Sequence, residues 1–192
     1  MRTIAITGGP GAGKTSLVLR LLQAFPEQLV VVPEVATLLL RHFFPPVQGE
    51  HERRAFQRAI FAVQRNLEDA YSGRLGRGQV LLCDRGTPDG GGYWPEGHDA
   101  FFAAMGTARH AELARYDAVL FLETAAKGGL SIADGNETRS EDLSQALAVD
   151  RRLQDVWSGH GSLAFVPQQP SFADKLDQGV DVVSRWLAAL SP

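Results

Sequence analysis

The stretch Ile4–Leu22, IAITGGPGAGKTSLVLRLL, decides how the rest of the chain is read. Ile4 to Ile6 form an apolar run of β type. A glycine-rich loop follows and ends in Lys14-Thr15, and Leu17, Leu21 and Leu22 then recur at helical spacing. Gly8 to Thr15 read G-x-x-x-x-G-K-T without a gap. Glycines let such a loop fold into a concave nest whose N–H groups point inward, and the helix that follows adds its positive end. The spacing assigns Gly9, Gly11, Ala12, Gly13, Lys14, Thr15 and Ser16 to the phosphates of a nucleoside triphosphate. Lys14 would reach the β and γ phosphates and the Thr15 hydroxyl would ligate Mg²⁺. The bland alternative is a glycine-rich turn followed by a chance Lys-Thr pair. The strand before the loop and the helix after it argue against that, and so does composition. Of the 19 basic residues only Lys14, Lys127 and Lys175 are lysines, and one of them sits in this loop.

Outward from the loop, the 192 residues suit one domain, and 44% hydrophobic content supplies a core. A formal net charge of -3 leaves no broad basic footprint for nucleic acid. The single cysteine, Cys83, excludes an internal disulfide framework and a cysteine-based zinc site. The N-terminus runs straight into the first strand and has no signal-peptide pattern. No apolar run approaches the roughly 18 residues of a membrane helix. These features predict a single-domain, mildly acidic, cytoplasmic protein over residues 1–192, without a membrane span or nucleic-acid partner. They leave its oligomeric state open.

Four further short apolar runs read as strands covered on both faces: Val30 to Val32, Val80 to Cys83, Val119 to Leu122 and Leu163 to Val166. Helical stripes separate them. Phe56, Ile60, Val63 and Leu67 form one; Leu143, Leu147, Leu153, Val156 and Trp157 form another, with Ser140 to Asp142 as an acidic start. VDVVSRWLAAL closes the chain as a helix. Alternating strands and helices predict an α/β fold with a parallel sheet and right-handed crossovers. Three stretches read as long loops, beginning at Pro45, Gly86 and Ala125. The last two follow strands directly, on the side where such sheets bind ligands. The segment of about 125–142 reads as a lid.

The loop motif alone does not say what becomes of the γ phosphate. The chain lacks the N-K-x-D guanine signature of GTPase switches. Its third strand ends in Asp84-Arg85 rather than in the paired acids of a motor ATPase. Asp84 suits Mg²⁺, and Arg85 suits a phosphate or a carboxylate that faces the substrate; a plain structural ion pair is the alternative. Glu34, after the second strand, suits a group that orients or deprotonates an attacking hydroxyl, or equally a helix-capping carboxylate. Lid cations neutralise charge on a migrating phosphoryl group. Lys127, Arg139, Arg151 and Arg152 are available, with Arg139 and, of the tandem pair, Arg151 as the catalytic candidates. Gln57, Phe61, Gln64 and Glu68 form a second stripe on the helix from Glu52 to Tyr71, read as a solvated face in preference to a base-reading one. The five histidines show no ligand spacing and read as scattered surface residues.

ITGGPGAGKTS, VVPEVA, FQRAIFAVQRNLEDA, LLCDRGTPDGGGYW, YDAVLFLETAA and DRRLQDVWSGH follow one another as in small P-loop domains described as AAA-type or predicted ATPases. That group is similar to nicotinamide riboside kinase domains and, more distantly, to deoxynucleoside and thymidylate kinases. The resemblance spans Thr3 to about Leu190. It implies a three-layer P-loop NTPase fold with a five-stranded parallel sheet of nucleotide-kinase type, and ATP or GTP held with Mg²⁺ at Gly8 to Ser16. It places Glu34, Asp84 and Arg85 where the kinases carry a carboxylate and an acid–arginine pair. D-R-G stands where deoxynucleoside kinases have E-R-S, and the loop from Gly86 is richer in glycine and aromatics than in the riboside kinases. The expectation is a Mg²⁺-dependent kinase of a nucleoside- or nucleotide-like acceptor. The competing expectation is a nucleotide-binding switch or slow NTPase acting through a protein partner. PQQPSF, from Pro167, reads as a base-side loop.

Overall fold

The computed structural model describes residues 2–128 and 143–189. Five strands, β1 (Thr3–Gly8), β2 (Leu29–Val32), β3 (Val80–Asp84), β4 (Ala118–Leu122) and β5 (Leu163–Val166), form one all-parallel sheet in the order β2-β3-β1-β4-β5. The parallel α/β architecture expected from the sequence is therefore the one observed, with strand bounds shifted by no more than two residues. The phosphate-loop strand lies at the centre, between β3 and β4.

Alternation along the strands builds two cores. Ile4, Ile6, Val80, Leu82, Leu120 and Leu122 face α1 (Lys14–Ala24) and α8 (Phe172–Ala188). Ala5, Leu81, Cys83, Val119 and Phe121 face the opposite layer of α3 (Glu50–Ser72), α4 (Gly90–Tyr93), α5 (His98–Ala104) and α7 (Leu143–Trp157). Two shorter helices, α2 (Val35–His42) and α6 (Arg109–Leu113), complete the fold. The same alternation puts Asp84, two residues past Leu82, on the α1 side of the sheet.

Two expectations are corrected here. The stripe on α3 that reads as solvated is the buried one: Gln57, Phe61, Gln64 and Glu68 are all buried, whereas Val63 is exposed. Polar side chains on this face are not there for water. Gln64 donates to Glu68 and to the Arg85 carbonyl, so the helix is packed through a buried hydrogen-bonded network. The second correction concerns the stretch from Gly86, which is no open loop. It folds as a 3₁₀ turn, Thr87–Asp89, that runs into α4, and Gly86 to Gly92 are all buried. Its glycines act as spacers. A Cβ at Gly90 would lie 2.5 Å from the Phe101 ring, and one at Gly92 would lie 2.6 Å from Leu153 Cδ2. Leu153 is fully buried and has nowhere to move. Gly92→Ala is expected to lower unfolding stability by about 1–3 kcal/mol in urea titration. An unchanged midpoint and slope would show that α4 and α7 pack more loosely than described.

The stretch from Pro45 is a loop only as far as Gly49; α3 takes over at Glu50. Of the lid-like segment, Ala125–Gly128 forms a 3₁₀ turn. Arg139 and the acidic start at Ser140 to Asp142 lie outside the described residues.

Candidate functional site

The phosphate loop connects β1 to α1. Gly8 has φ 136°, and a Cβ there would lie 2.0 Å from the Leu122 carbonyl oxygen, so the loop leaves the sheet where only glycine fits. Gly13 caps α1 in the left-handed region, at φ 91°. Lys14, buried, folds back over the loop and donates to the carbonyls of Gly8 and Gly9, each at 2.8 Å. Thr15 and Ser16 are exposed at the start of α1. The Phe172 ring packs beside Gly13, which brings the PQQPSF segment next to the loop.

Beside this loop, the ends of β2 and β3 hold a buried charge cluster. Glu34 occupies the N-cap position of α2 but makes no capping hydrogen bond. Its Oε1 accepts from Arg85 Nε at 2.7 Å, and its Oε2 accepts from the Thr37 hydroxyl. Arg85 also donates from Nη1 to Asp89 Oδ1 at 3.3 Å and lies over the Tyr93 ring at 5.6 Å. Its backbone has φ 76°, the one left-handed non-glycine residue among those described. Strain of this kind, on the order of 1–2 kcal/mol, persists where surrounding contacts enforce it. Those contacts are the Arg85 N–H to the Ile6 carbonyl at 2.9 Å and Gln64 Nε2 to the Arg85 carbonyl at 3.0 Å. Beneath them, Thr87 is held through its N–H by the Tyr116 hydroxyl and through its hydroxyl by Glu112.

The electrostatics follow from burial. Burial first, and then the charge of Glu34, push the Asp84 carboxyl up to about 6, while Lys14 and Arg85 pull it down. Burial opposes the charge of Arg85, but Tyr93, Glu34 and Asp89 more than offset this and hold the guanidinium protonated. Two buried atoms in this cluster have no hydrogen-bond partner, Asp84 Oδ1 and Arg85 Nη2. Orphaned buried polar atoms are costly, and these two sit where a ligand would satisfy them. An unpartnered carboxylate oxygen such as Asp84 Oδ1 is the type of donor that suits a hard cation such as Mg²⁺.

A cavity of about 740 Å³ opens from the cluster. Glu34, Arg85 and Asp89 line it at one end. Phe56, Gln57, Ile60 and Gln64 of α3 and Tyr93 of α4 form walls, and Leu40, Phe44 and Val47 add apolar surface. From α7 come Gln145, Val149 and Arg152. The structure brings Lys14, Glu34 and Arg85 close enough to Asp84 to act on its charge. Of the tandem arginines, both exposed, Arg152 lines the cavity and Arg151, one residue of helical phase away, does not. Sequence reasoning missed Asp89, which accepts from Thr7, Gly86, Arg85 and Trp157. The one hint was its place three residues after Gly86, the spacing of a turn-closing carboxylate. Gln57, read from the sequence as solvated in preference to base-reading, is a buried residue that lines the cavity. Among the described residues no cluster of three or more His, Cys, Asp or Glu side chains is arranged for a metal ion.

A glycine nest on the central strand, with an acid–arginine pair on the adjacent strand end, defines a P-loop domain. The chain belongs to the family described as AAA domain, whose model matches residues 3–175. Among solved structures, a deoxyadenosine kinase from M. mycoides with bound dATP is similar in fold, with a TM-score of 0.66 and 11% identity. The likeness covers 96% of this chain and 100% of that one. No curated protein matches the chain. No described helix is long and apolar enough to cross a membrane.

Proposed function

We propose that the protein is a Mg²⁺-dependent kinase that transfers the γ-phosphoryl group of ATP or GTP to a hydroxyl of a nucleoside-like small molecule. The observation that carries this reading is the 740 Å³ cavity that begins at Glu34 and Arg85, beside the phosphate loop. A switch that answers only to a protein partner has no use for a cavity of small-molecule size at that point. The apolar and aromatic walls suit a ring, and the buried Gln57 amide suits a hydrogen-bonding edge on it. The floor suits a neutral hydroxyl better than a second phosphate, because Glu34 and Asp89 already neutralise Arg85.

In this reading the loop amides and Lys14 hold the β and γ phosphates, and Thr15 and Asp84 hold Mg²⁺. The ion, when bound, neutralises charge on the β and γ oxygens. Glu34 accepts the proton of the acceptor hydroxyl as its oxygen bonds to the γ phosphorus. The bond from that phosphorus to the bridging oxygen breaks, and the nucleoside diphosphate leaves with the electron pair. Arg85 orients Glu34 and presents Nη2 to the acceptor. Arg152 and, from the lid, Arg139 supply cations over the migrating group; Arg151 is the weaker candidate. The cellular setting that best suits such an enzyme is the cytoplasm.

The test is release of nucleoside diphosphate from Mg-ATP or Mg-GTP in the presence of a panel of nucleosides, nucleotides and vitamins. One acceptor is expected to accelerate release at least about tenfold over the background hydrolysis rate. Slow release that is indifferent to every acceptor but stimulated by a protein partner would replace the kinase with a switch.

A further inference from the structure

One buried carboxylate near the phosphate loop takes no part in the reaction above. Asp150, on α7, is 3% exposed. Its Oδ1 accepts from the Gly9 N–H at 2.9 Å and from the Thr124 N–H at 3.0 Å, and its Oδ2 accepts from Gln154 Nε2 at 2.8 Å. Thr124, just past β4, donates its hydroxyl to the Pro10 carbonyl at 2.5 Å. One side chain therefore ties the opening of the phosphate loop to a neighbouring strand end and to α7. Buried Lys175 and Glu123 are the charged groups that interact electrostatically with it from the α8 and β4 side.

The identity of residue 9 follows from this contact. Gly9 does not adopt a left-handed φ, so its backbone would accept a side chain. The obstacle is Asp150: a Cβ at Gly9 would lie 2.5 Å from Asp150 Oδ1 and 2.8 Å from Asp150 Cβ. The carboxylate occupies the space that a methyl group would fill. On the same helix, Gln145, Val149 and Arg152 line the acceptor cavity. α7 therefore borders both the cavity and, through Asp150, the phosphate loop.

We propose that Asp150 is a positioning residue for the phosphate loop, which holds the Gly9 amide from α7, sets triphosphate affinity, and explains why position 9 is glycine. The inference rests on the reading of Gly8 to Ser16 as a triphosphate site. It goes beyond that reading by assigning the fit of the loop to a carboxylate 141 residues away in sequence.

The test is a double-mutant cycle on the full chain, with Mg²⁺ and fluorescent N-methylanthraniloyl ATP and GTP as probes. Melting curves without nucleotide establish that each variant is folded at the measuring temperature. Asp150→Ala and Gly9→Ala are each expected to weaken binding at least about tenfold. Asp150→Asn, which keeps an acceptor oxygen, is expected to stay within about threefold of wild type. The Gly9→Ala/Asp150→Ala pair is expected to lose less than the two single losses combined, because the nearest clashing atom, Oδ1 at 2.5 Å, is gone, while the Cβ at 2.8 Å remains. Additive losses in the pair, or unchanged affinity in Asp150→Ala, would overturn the inference. If Asp150→Ala does not fold, Asp150→Gly, which also removes the Cβ at 2.8 Å, takes its place, and its pair with Gly9→Ala is then expected to bind no more weakly than Asp150→Gly alone. Lys14→Ala separates the two levels. If the wild type binds neither probe, or Lys14→Ala binds as well as wild type, the triphosphate reading fails and takes the inference with it. If Lys14→Ala loses binding while the cycle is additive, the inference alone fails.

Discussion

Lys14→Ala is expected to remove measurable transfer and to weaken Mg-triphosphate binding by at least about 100-fold, or about 2.7 kcal/mol. The size of the effect follows from where the ammonium sits. It is buried, and its two observed bonds go to the Gly8 and Gly9 carbonyls at the mouth of the nest. With a triphosphate in place, the same ammonium meets negatively charged oxygens of the β and γ phosphates. Charge-assisted hydrogen bonds are strongest there. Alanine removes the charge and leaves both the phosphates and the two carbonyls without a donor. The transition state places still more negative charge on the β–γ bridge, so turnover is expected to fall further than affinity, by about 10³-fold. Fluorescent-triphosphate titration reads the first quantity and product release under saturating nucleotide reads the second. Retention of both would mean that Gly8 to Thr15 is not a phosphate site at all.

The sequence exposes some parts of this architecture and hides others for physical reasons. At three positions of the phosphate loop the residue type is dictated by the loop's own geometry and charge: left-handed backbone at Gly13, a positive φ at the exit from the sheet at Gly8, and the ammonium at Lys14. A strand buried on both faces has no choice but to be an unbroken apolar run, so Val80 to Cys83 and Val119 to Leu122 are visible too. The stretch from Gly86 misleads because glycine has two uses. Runs of glycine commonly mark mobile loops, but here Gly90 and Gly92 are small so that Phe101 and Leu153 can approach. The Gln57, Gln64 and Glu68 stripe misleads for a related reason: polar residues signal solvent unless their partners are known, and the partners are supplied by other elements. Asp89 and Asp150 show the same limit. Their bonding partners Thr7 and Gly9 lie 82 and 141 residues away, and nothing local at either aspartate announces the contact. The choice between Arg151 and Arg152 turns on about 100° of helical phase, which the sequence alone does not set.

Glu34→Gln is expected to lower transfer at least about 100-fold while leaving triphosphate affinity within about threefold of wild type, a rate effect in the range of general-base removal. Glutamine keeps the length of the side chain; its amide oxygen can accept from Arg85 Nε and its NH₂ can donate to the Thr37 hydroxyl, so the geometry of the cluster is preserved. What it lacks is a site for the acceptor's proton. The same substitution should leave a second signature in the pH dependence. Asp84 is raised to about 6 by burial and then by the negative charge of Glu34. Asp84 must be ionised to hold Mg²⁺, so at subsaturating Mg²⁺ wild-type transfer is expected to rise with pH through about 6 and to level off above it, and the limb is expected to move to lower pH as Mg²⁺ is raised. Removing the Glu34 charge makes ionisation of Asp84 easier and lowers its pKa. The residual transfer of Glu34→Gln should therefore persist to lower pH than that of the wild type. A pH–rate profile on both proteins, with folding checked across the range, reads the two effects separately. A wild-type rate in Glu34→Gln would remove Glu34 from the chemistry. A lowered rate with an unmoved acid limb would keep Glu34 as the proton acceptor, but would mean that the limb reports a group other than Asp84.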